Sequence, residues 1–186
     1  MIIAVVGSGG KTTLIKKLAS RYHSEGKTVL ITTTTHMFIE EDTLLTDDTA
    51  AIIHAIKETG CVMAGIPDGE KISPLSRKTF DAVCACADVT LVEADGSKHL
   101  PLKYPNEKEP VIPDNTDRII VVWGPHGLGQ RVGSACHRPE LVMDCLGIGD
   151  DTLMTREHVR KLLREGYLIP LKSRHPNAEI TVYPPL

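Results

Sequence analysis

A glycine-rich turn between an apolar run and an amphipathic segment constrains the fold of this chain more than any other feature. The apolar run spans residues 2–6, and the amphipathic segment begins at Lys11 with an apolar stripe led by Leu14 and Leu18. A short continuous apolar run is typical of a buried parallel strand, and a stripe of this period is typical of a helix. Glycines between them allow consecutive backbone N–H groups to face one point, as phosphate binding at a helix N-terminus requires. The turn therefore predicts a strand–loop–helix unit that holds the phosphates of a nucleotide.

The side chains of this turn have predicted roles in that site. Lys11 would place a positive charge on the terminal phosphates, and the hydroxyl of Thr12 would bind Mg²⁺. The common pattern has a glycine five residues before Gly10, where this chain has Val5, so Gly7 makes a shorter Gly-x-x-Gly-Lys-Thr loop. A glycine-rich turn without a ligand is the alternative. The predicted nucleotide contacts in the turn are Gly7, Ser8, Gly9, Gly10, Lys11, Thr12 and Thr13.

Strand and helix signals alternate along most of the chain. Apolar runs predict strands at residues 2–6, 28–32, 61–66, 89–92, 119–123 and 180–183. Helical periodicity predicts helices from Lys11 to a left-handed cap at Gly26, and at 47–59, 76–87, 139–146 and 155–164. Residues 67–70 are expected to form a turn, 101–113 to lack regular structure because of their prolines, and the last twenty to contain one strand only. This alternation predicts an α/β fold of the P-loop NTPase type, with a mainly parallel sheet and helices on both faces.

Length and composition fit one globular domain over residues 1–186. The apolar fraction is 41% and the charged fraction 24%, as in folded proteins rather than disordered ones. The net charge of −3 argues against a basic face that would bind nucleic acid or an anionic membrane. Aromatic residues make up only 4% of the chain, too few for a surface on which nucleic-acid bases would stack. We therefore expect neither a nucleic-acid partner nor a membrane partner.

The cysteines and the N-terminus bear on location. Five cysteines are an odd number for a disulfide framework and favour a reducing compartment. Met1 leads directly into the first apolar run without a charged leader, and no run approaches membrane-spanning length. Cytoplasmic location is the expectation.

An acidic pair follows the strand predicted at 89–92. Because ligands of α/β sheets gather at the carboxyl ends of strands, Glu93 is predicted to bind the nucleotide's Mg²⁺. Asp95 is predicted to be a second metal ligand or a base. The predicted catalytic residues are thus Lys11, Glu93 and Asp95, and the predicted metal ligands are Thr12 and Glu93. A solvated carboxylate at a strand end is the alternative.

Two further segments are predicted to border the site. Thr34, Thr35 and His36 follow the strand at 28–32, where they would contact the γ-phosphate or a second substrate, although threonine is also a common strand residue. Lys98 and Lys103 lie in the loop after Glu93, where they would bind an anionic second substrate. Solvated surface lysines are the alternative. Cys136 and His137 make half of a metal site, for which no partner pair is evident.

Several segments together resemble one known family. In order, they are Gly7-Ser8-Gly9-Gly10-Lys11-Thr12-Thr13, Thr32-Thr33-Thr34-Thr35-His36-Met37, Glu93-Ala94-Asp95-Gly96-Ser97, Leu100-Pro101-Leu102-Lys103, Glu109-Pro110-Val111-Ile112-Pro113 and His137-Arg138-Pro139-Glu140. They resemble the selenium-dependent molybdenum hydroxylase accessory protein family, YqeC. The resemblance implies a P-loop fold and a role in maturing a selenium-containing molybdenum hydroxylase, with that enzyme or its maturation proteins as partners.

The resemblance also bears on the base and on the C-terminus. Members of the family continue beyond this length with a strand that carries Asn-Lys-x-Asp, so the C-terminal part is expected to be truncated or divergent. Because this chain has no Asn-Lys-x-Asp, with which GTPases read guanine, ATP is favoured over GTP.

Three functions are compatible with these observations. The leading hypothesis is a Mg-ATP-dependent maturation factor whose hydrolysis is slow and stimulated by a partner. The second is an ATP-dependent ligase or kinase acting on a small anionic substrate, because the short loop resembles that of the Mur-type peptidoglycan ligases. Those ligases carry extra domains for which 186 residues leave no room. The third is a nucleotide-sensing binding module without turnover. An oligomer is compatible with all three.

Overall fold

The computed structural model describes residues 1–186 and contains two β-sheets. The main sheet has nine strands: β1 (Ile2–Gly7), β2 (Val29–Thr33), β3 (Met37–Phe38), β4 (Thr43–Leu45), β5 (Cys61–Asp68), β6 (Lys71–Ser73), β7 (Val89–Glu93), β9 (Arg118–Val122) and β11 (Glu179–Tyr183). The second sheet pairs β8 (Leu102–Lys103) with β10 (Cys136–His137). All six strands predicted from the sequence are present.

The main sheet is mostly parallel, as the sequence predicted. Its order is β11-β9-β1-β7-β2-β5-β6-β3, and β4 pairs with β5. Only the pairs β5–β6 and β3–β6 are antiparallel. The turn expected at 67–70 is shorter than predicted, because Pro67 and Asp68 continue β5 and pair with β6. A proline is tolerated at position 67 because it lies near the end of β5, close to the edge of the sheet.

Seven α-helices connect these strands. They are α1 (Lys11–Ser24), α2 (Thr49–Thr59), α3 (Arg77–Cys84), α4 (Val132–Ala135), α5 (Pro139–Leu146), α6 (Arg156–Leu163) and α7 (Ile169–Arg174). The side chains of Asp48, Ser76 and Thr155 cap α2, α3 and α6 by accepting hydrogen bonds from the first turn. None of the helices is long and apolar enough to cross a membrane.

The C-terminal region is more helical than the sequence predicted. A π-helical turn, Arg164–Leu168, joins α6 to α7, so helix continues well into the last twenty residues. Tyr167 and Leu171 from this segment are fully buried in the core. The strand expected at 180–183 is present as β11, but the helix before it was missed, because tertiary burial of these two side chains outweighs the polar character of their neighbours.

Alternate residues of β1 show how the two faces of the sheet are covered. Ile3 and Val5 belong to the core beneath α1, whereas Ile2, Ala4 and Val6 belong to the core that α5, α6 and α7 share. Helices α2 and α3 cover the remaining part of that second face. Helices therefore lie on both faces, as expected for a parallel sheet.

The strand order brings the predicted site residues to one edge of the sheet. Strand β1 lies between β7 and β9. The strands that follow β1 in sequence, from β2 to β7, lie on one side of it, and β9 and β11 lie on the other. Glu93 at the end of β7 pairs with Val5 on one side and with Thr33 of β2 on the other. The carboxyl ends of β1, β7 and β2 are thus adjacent, which is where α/β sheets bind ligands.

Candidate functional site

The glycine-rich turn packs tightly against two other segments of the same chain, around residues 101 and 122–124. Gly7, Gly9 and Gly10 have φ angles of +89°, +74° and +123°, which disfavour residues with a side chain. The Ser8 N–H donates to the Val122 carbonyl at 2.9 Å, and the Ser8 hydroxyl donates to the Pro101 carbonyl at 2.9 Å. A Cβ atom on Gly9 would lie 2.5 Å from the Cα of Gly124. Glycine is therefore needed here both for backbone conformation and for close approach.

Lys11 begins α1 and is 4% exposed. Its ammonium donates to the Gly7 carbonyl at 2.9 Å and to the Ser97 hydroxyl at 3.2 Å. Burial lowers the pKa of Lys11, while the carboxylates of Glu93 and Asp95 act in the opposite direction. The ammonium is thus folded back over the turn and held by two neutral oxygens, which an anionic ligand would outcompete.

Thr12 and Glu93 meet next to the turn. The Thr12 hydroxyl donates to a Glu93 carboxylate oxygen at 2.9 Å, and Glu93 is only 7% exposed. Burial raises the pKa of Glu93, opposed by the positive charge of Lys11 and by the Thr12 hydrogen bond. No group of three or more His, Cys, Asp or Glu side chains forms a metal cluster in the chain. A hydroxyl and one carboxylate suit Mg²⁺, which keeps waters and takes further oxygens from a phosphate chain.

The segment after β2 lies beside this pair. The Thr33 hydroxyl donates to the Glu93 carbonyl at 2.8 Å and accepts from the Thr35 N–H at 3.0 Å. The Thr34 hydroxyl donates to the Val111 carbonyl. His36 lies 3.2 Å from the carboxylate of Asp68, and both side chains are more than half exposed. Thr34, Thr35 and His36 all line the same cleft as Glu93.

Asp95 does not lie where its predicted role requires. Its side chain is fully buried and accepts hydrogen bonds from the Gly7 N–H at 3.1 Å, the Tyr167 hydroxyl at 2.9 Å and the Lys103 ammonium. Burial raises the pKa of Asp95, and Lys103 opposes this. Since its oxygens are taken up by these donors behind the turn, Asp95 positions the turn rather than binding a metal or accepting a substrate proton.

Lys103 also differs from its predicted role. Its side chain has no exposed surface, and its ammonium pairs with Asp95, with the Gly96 carbonyl and with Glu109 at 2.7 Å. The lysine cannot contact a substrate from this position. Its partner in the prediction, Lys98, is exposed and does line the cleft.

A cleft of about 1260 Å³ contains most of the predicted residues. Its lining is mainly polar and includes the turn from Gly9 to Thr13, together with Glu93. Sequence reasoning missed several other lining residues, because they come from distant elements: Phe38, Lys71, Asn106, Lys108 and His126. His137 and Arg138 also line the cleft, where His137 had been considered only as half of a metal site. The proximity of His137 and Arg138 was signalled only by the family resemblance of the 137–140 segment. Tyr167, which lies behind the turn, had no sequence signal.

Comparison with known proteins places the chain in a family. A sequence model described as "YqeC protein" matches residues 3–140. The protein named "Uncharacterized protein YqeC" of Escherichia coli (strain K12) is 36% identical over 172 residues, which cover 88% of this chain and 67% of that protein. The chain belongs to the YqeC family. The family match spans Lys11, Thr12, Glu93 and Arg138, so the residues that line the cleft described above lie within the matched part of the chain.

Among solved structures, this chain is similar to a chain of the MinC:MinD cell division protein complex of Aquifex aeolicus. The two share 14% sequence identity at a TM-score of 0.44, covering 98% of this chain and 67% of the other. A similarity this distant assigns neither a fold nor a function.

Proposed function

We propose that this YqeC-family chain is a P-loop NTPase-like, Mg-ATP-binding accessory factor for the maturation of a selenium-dependent molybdenum hydroxylase. One observation carries the nucleotide part of this proposal. Lys11, Thr12 and Glu93 converge beside a glycine turn at the carboxyl ends of two adjacent parallel strands. Slow hydrolysis stimulated by a partner is part of the proposal.

The residues of the turn divide the work of holding the phosphates. The backbone N–H groups of the glycine turn and the start of α1 would bind phosphate oxygens, and Lys11 would turn from the Gly7 carbonyl to the terminal phosphates. Thr12 and Glu93 would hold Mg²⁺, which neutralises charge that develops on the phosphates. Thr34 and Thr35 would border the γ-phosphate from the end of β2.

Two observations support the rest of the proposal. The motifs from Glu93 to Pro113 and from His137 to Glu140 support the link to hydroxylase maturation, because they are those of the accessory family. All five cysteines are free thiols, as expected for a cytoplasmic protein.

Titration calorimetry of Mg-ATP tests the nucleotide part. We expect Lys11→Ala to abolish measurable binding, because a charge-assisted contact to the phosphates is lost. Lys17→Ala is the matched control, since it removes an exposed lysine from the same helix. Equal ATP affinity in the parent and in Lys11→Ala, both folded by circular dichroism, would contradict the proposal.

Complementation tests the accessory role. In cells that lack their own family member, the parent chain should restore activity to the selenium-dependent hydroxylase, and Lys11→Ala should not. Full hydroxylase activity without any family member would refute the role in maturation while leaving nucleotide binding intact.

A ligase or kinase acting on a small anion is the second candidate. The observation that favours it is the size of the cleft, which exceeds the upper end of the range of about 300–1000 Å³ for a single small ligand. A ligase or kinase would release ADP only when its second substrate is present. ADP release that depends on the hydroxylase instead would favour the accessory role.

A further inference from the structure

The cleft has a second part that the proposed nucleotide contacts do not use. One side of it is the loop at residues 97–99, and the other is the turn formed by His137 and Arg138. We call this second part the outer cleft. Its volume belongs to the same 1260 Å³ cavity, so a ligand there would lie beside a nucleotide on the glycine turn.

His137 is a buried side chain without a complete set of partners. The residue is only 9% exposed, yet its Nδ1 atom has no hydrogen-bond partner. Burial lowers the pKa of His137, and the charges of Arg138, Lys103 and Lys98 lower it further. Burial and these neighbouring charges thus favour the neutral form of the imidazole, and Glu109 is the carboxylate that opposes them. A buried polar atom without a partner is rare in folded proteins and requires an explanation, such as a bound water or a ligand.

The backbone of the outer cleft is strained. Three non-glycine residues of the chain have positive φ angles: Lys98 at +47°, His99 at +62° and Arg138 at +58°. All three line the cleft. Such conformations are costly and persist where the surroundings enforce them, commonly at ligand clamps. Their concentration at this one place is independent of the unpartnered histidine and points to the same site.

The side-chain donors of the outer cleft suit an oxyanion. Arg138 donates to Glu109 at 2.7 and 3.3 Å, which uses two of its five N–H groups and fixes the guanidinium. Glu109 is itself anchored by Lys103. Lys98 is exposed and takes part in none of the ion pairs of the chain. Glu140 also lines the cleft and offsets part of this positive charge.

We propose that the outer cleft binds a small oxyanion-bearing second ligand, a phosphate or carboxylate compound, through Lys98, His137 and Arg138 while nucleotide is bound. This site rests on the proposed nucleotide site, whose ligand it would lie beside. It also differs from the sequence-based expectation, which assigned the second ligand to Lys98 and Lys103.

Calorimetry on the full chain tests the site with defined probes. The protein is first saturated with Mg²⁺ and a non-hydrolysable ATP analogue, and is then titrated with inorganic phosphate in one arm and succinate in the other. We expect saturable binding of at least one probe, and the arm that binds identifies the oxyanion as phosphate or carboxylate. Lys98→Gln and His137→Phe should each weaken that binding about tenfold or more.

The control is Lys57→Gln, which removes an exposed lysine from α2 outside the cleft and should leave probe affinity unchanged. Lys98 is exposed, so its variant stays informative if His137→Phe fails to fold. Saturation by the analogue followed by no binding of either probe, or by equal binding in the parent and both variants, would overturn the outer site and leave the nucleotide proposal standing. If the analogue itself does not bind, the nucleotide proposal fails. The same probe titrations are then made on the protein without nucleotide. The outer site is contradicted if the affinity for the probes does not depend on Lys98 and His137.

Discussion

At the scale of single residues, Glu93 is a proposed metal ligand whose carboxylate is buried at a cost to stability. The carboxylate is nearly buried, and the loss of water raises its pKa more than Lys11 and Thr12 lower it. A group whose pKa is raised on folding makes the folded state less stable in its charged form. The chain therefore keeps a carboxylate where an uncharged residue of the same shape would be more stable.

We predict that Glu93→Gln separates function from stability. The amide keeps the shape of the side chain but removes the charge that Mg²⁺ prefers, so ATP affinity should fall much more with Mg²⁺ than without it. In the nucleotide-free protein the same change should raise the melting temperature at neutral pH. The difference from the parent should shrink as the pH falls through the raised pKa of Glu93, because the parent then becomes uncharged there as well. Calorimetry and thermal melts measure both effects.

Glu58→Gln is the matched control for this variant, because Glu58 is an exposed carboxylate on α2. It should change neither the Mg²⁺ dependence nor the pH profile of stability. An equal loss of ATP affinity with and without Mg²⁺ in Glu93→Gln would mean that Glu93 has a structural role only.

Lys103 illustrates the opposite case, a charge that the fold itself requires. We predict that Lys103→Met lowers the free energy of unfolding by about 3–5 kcal/mol, because Asp95 and Glu109 would then be left without their common cation. Lys108→Met, which removes an exposed lysine from the same loop region, should have little effect. Urea titration measures both. Equal stability of the two variants would show that the buried ion pairs contribute nothing.

The sequence predicted the right residue types at this scale but not the direction of every side chain. Lys11, Thr12 and Glu93 lie together because a turn and a strand end fix their backbones. Asp95 lies two residues beyond Glu93, and in a continued strand both would point to the same side. Strand β7 ends at Glu93, however, and Asp95 turns towards Tyr167 instead. The end of a strand depends on its neighbours, which the local sequence does not specify.

At the scale of elements, the glycine turn is held by what packs around it. The carboxylate of Asp95 accepts hydrogen bonds from the Gly7 N–H and from the Tyr167 hydroxyl. The π-helical turn between α6 and α7, which carries Tyr167, therefore supports the glycine turn through this carboxylate. Helices with an inserted π turn are often found at functional sites. The sequence could not predict this support, because it joins residues 72 positions apart through a single buried hydroxyl.

We predict that Gly7→Ala damages the turn beyond the cost of its backbone angle. A Cβ atom at this position would collide with the Val122 carbonyl, which also accepts the Ser8 N–H. Gly69→Ala is the matched control, because its φ is also positive, at +60°, but no atom lies within 4 Å of the added carbon. Both variants should lose stability through strain, by an amount on the order of 1 kcal/mol for Gly69→Ala. Only Gly7→Ala should lose more than this and also lose ATP affinity, as measured by urea titration and calorimetry. A Gly7→Ala variant as stable as Gly69→Ala would contradict the close packing of the turn.

At the scale of the whole molecule, the mainly parallel sheet could be predicted from the alternation of strands and helices. The meeting of the glycine turn, Glu93 and Thr34 could also be predicted, because parallel strands end at one edge of the sheet. The short strands β3, β4, β6, β8 and β10 were missed, since two or three residues carry no periodicity. Strand β8 lies within residues 101–113, which were wrongly expected to lack regular structure throughout. The far wall of the cleft was missed as well, because Arg138 and His137 reach it from beyond β9 through the small sheet that pairs β8 with β10.

The positions of the arginines determine the rate of ATP hydrolysis that we expect of the chain alone. Phosphate-loop hydrolysis needs added positive charge in the transition state, often from an arginine supplied by another protein. Arg131 pairs with Asp151 on the surface and does not line the cleft. Arg138 does line it, but both Glu109 oxygens hold its guanidinium and offset its charge.

We therefore predict that the purified chain hydrolyses ATP slowly and that the proposed client, a selenium-dependent hydroxylase or another maturation partner, accelerates the reaction. Lys11 and Mg²⁺ would supply part of the required charge, and the partner would supply the rest, either with its own arginine or by drawing Glu109 away from Arg138. Release of inorganic phosphate, followed with and without the client and across a dilution series, measures this. Arg138→Gln distinguishes the two routes: it should abolish stimulation if Arg138 is released from Glu109, and leave stimulation intact if the partner brings its own arginine. Rapid turnover by the purified chain alone, unchanged by dilution and by added client, would show that the site is complete within one chain.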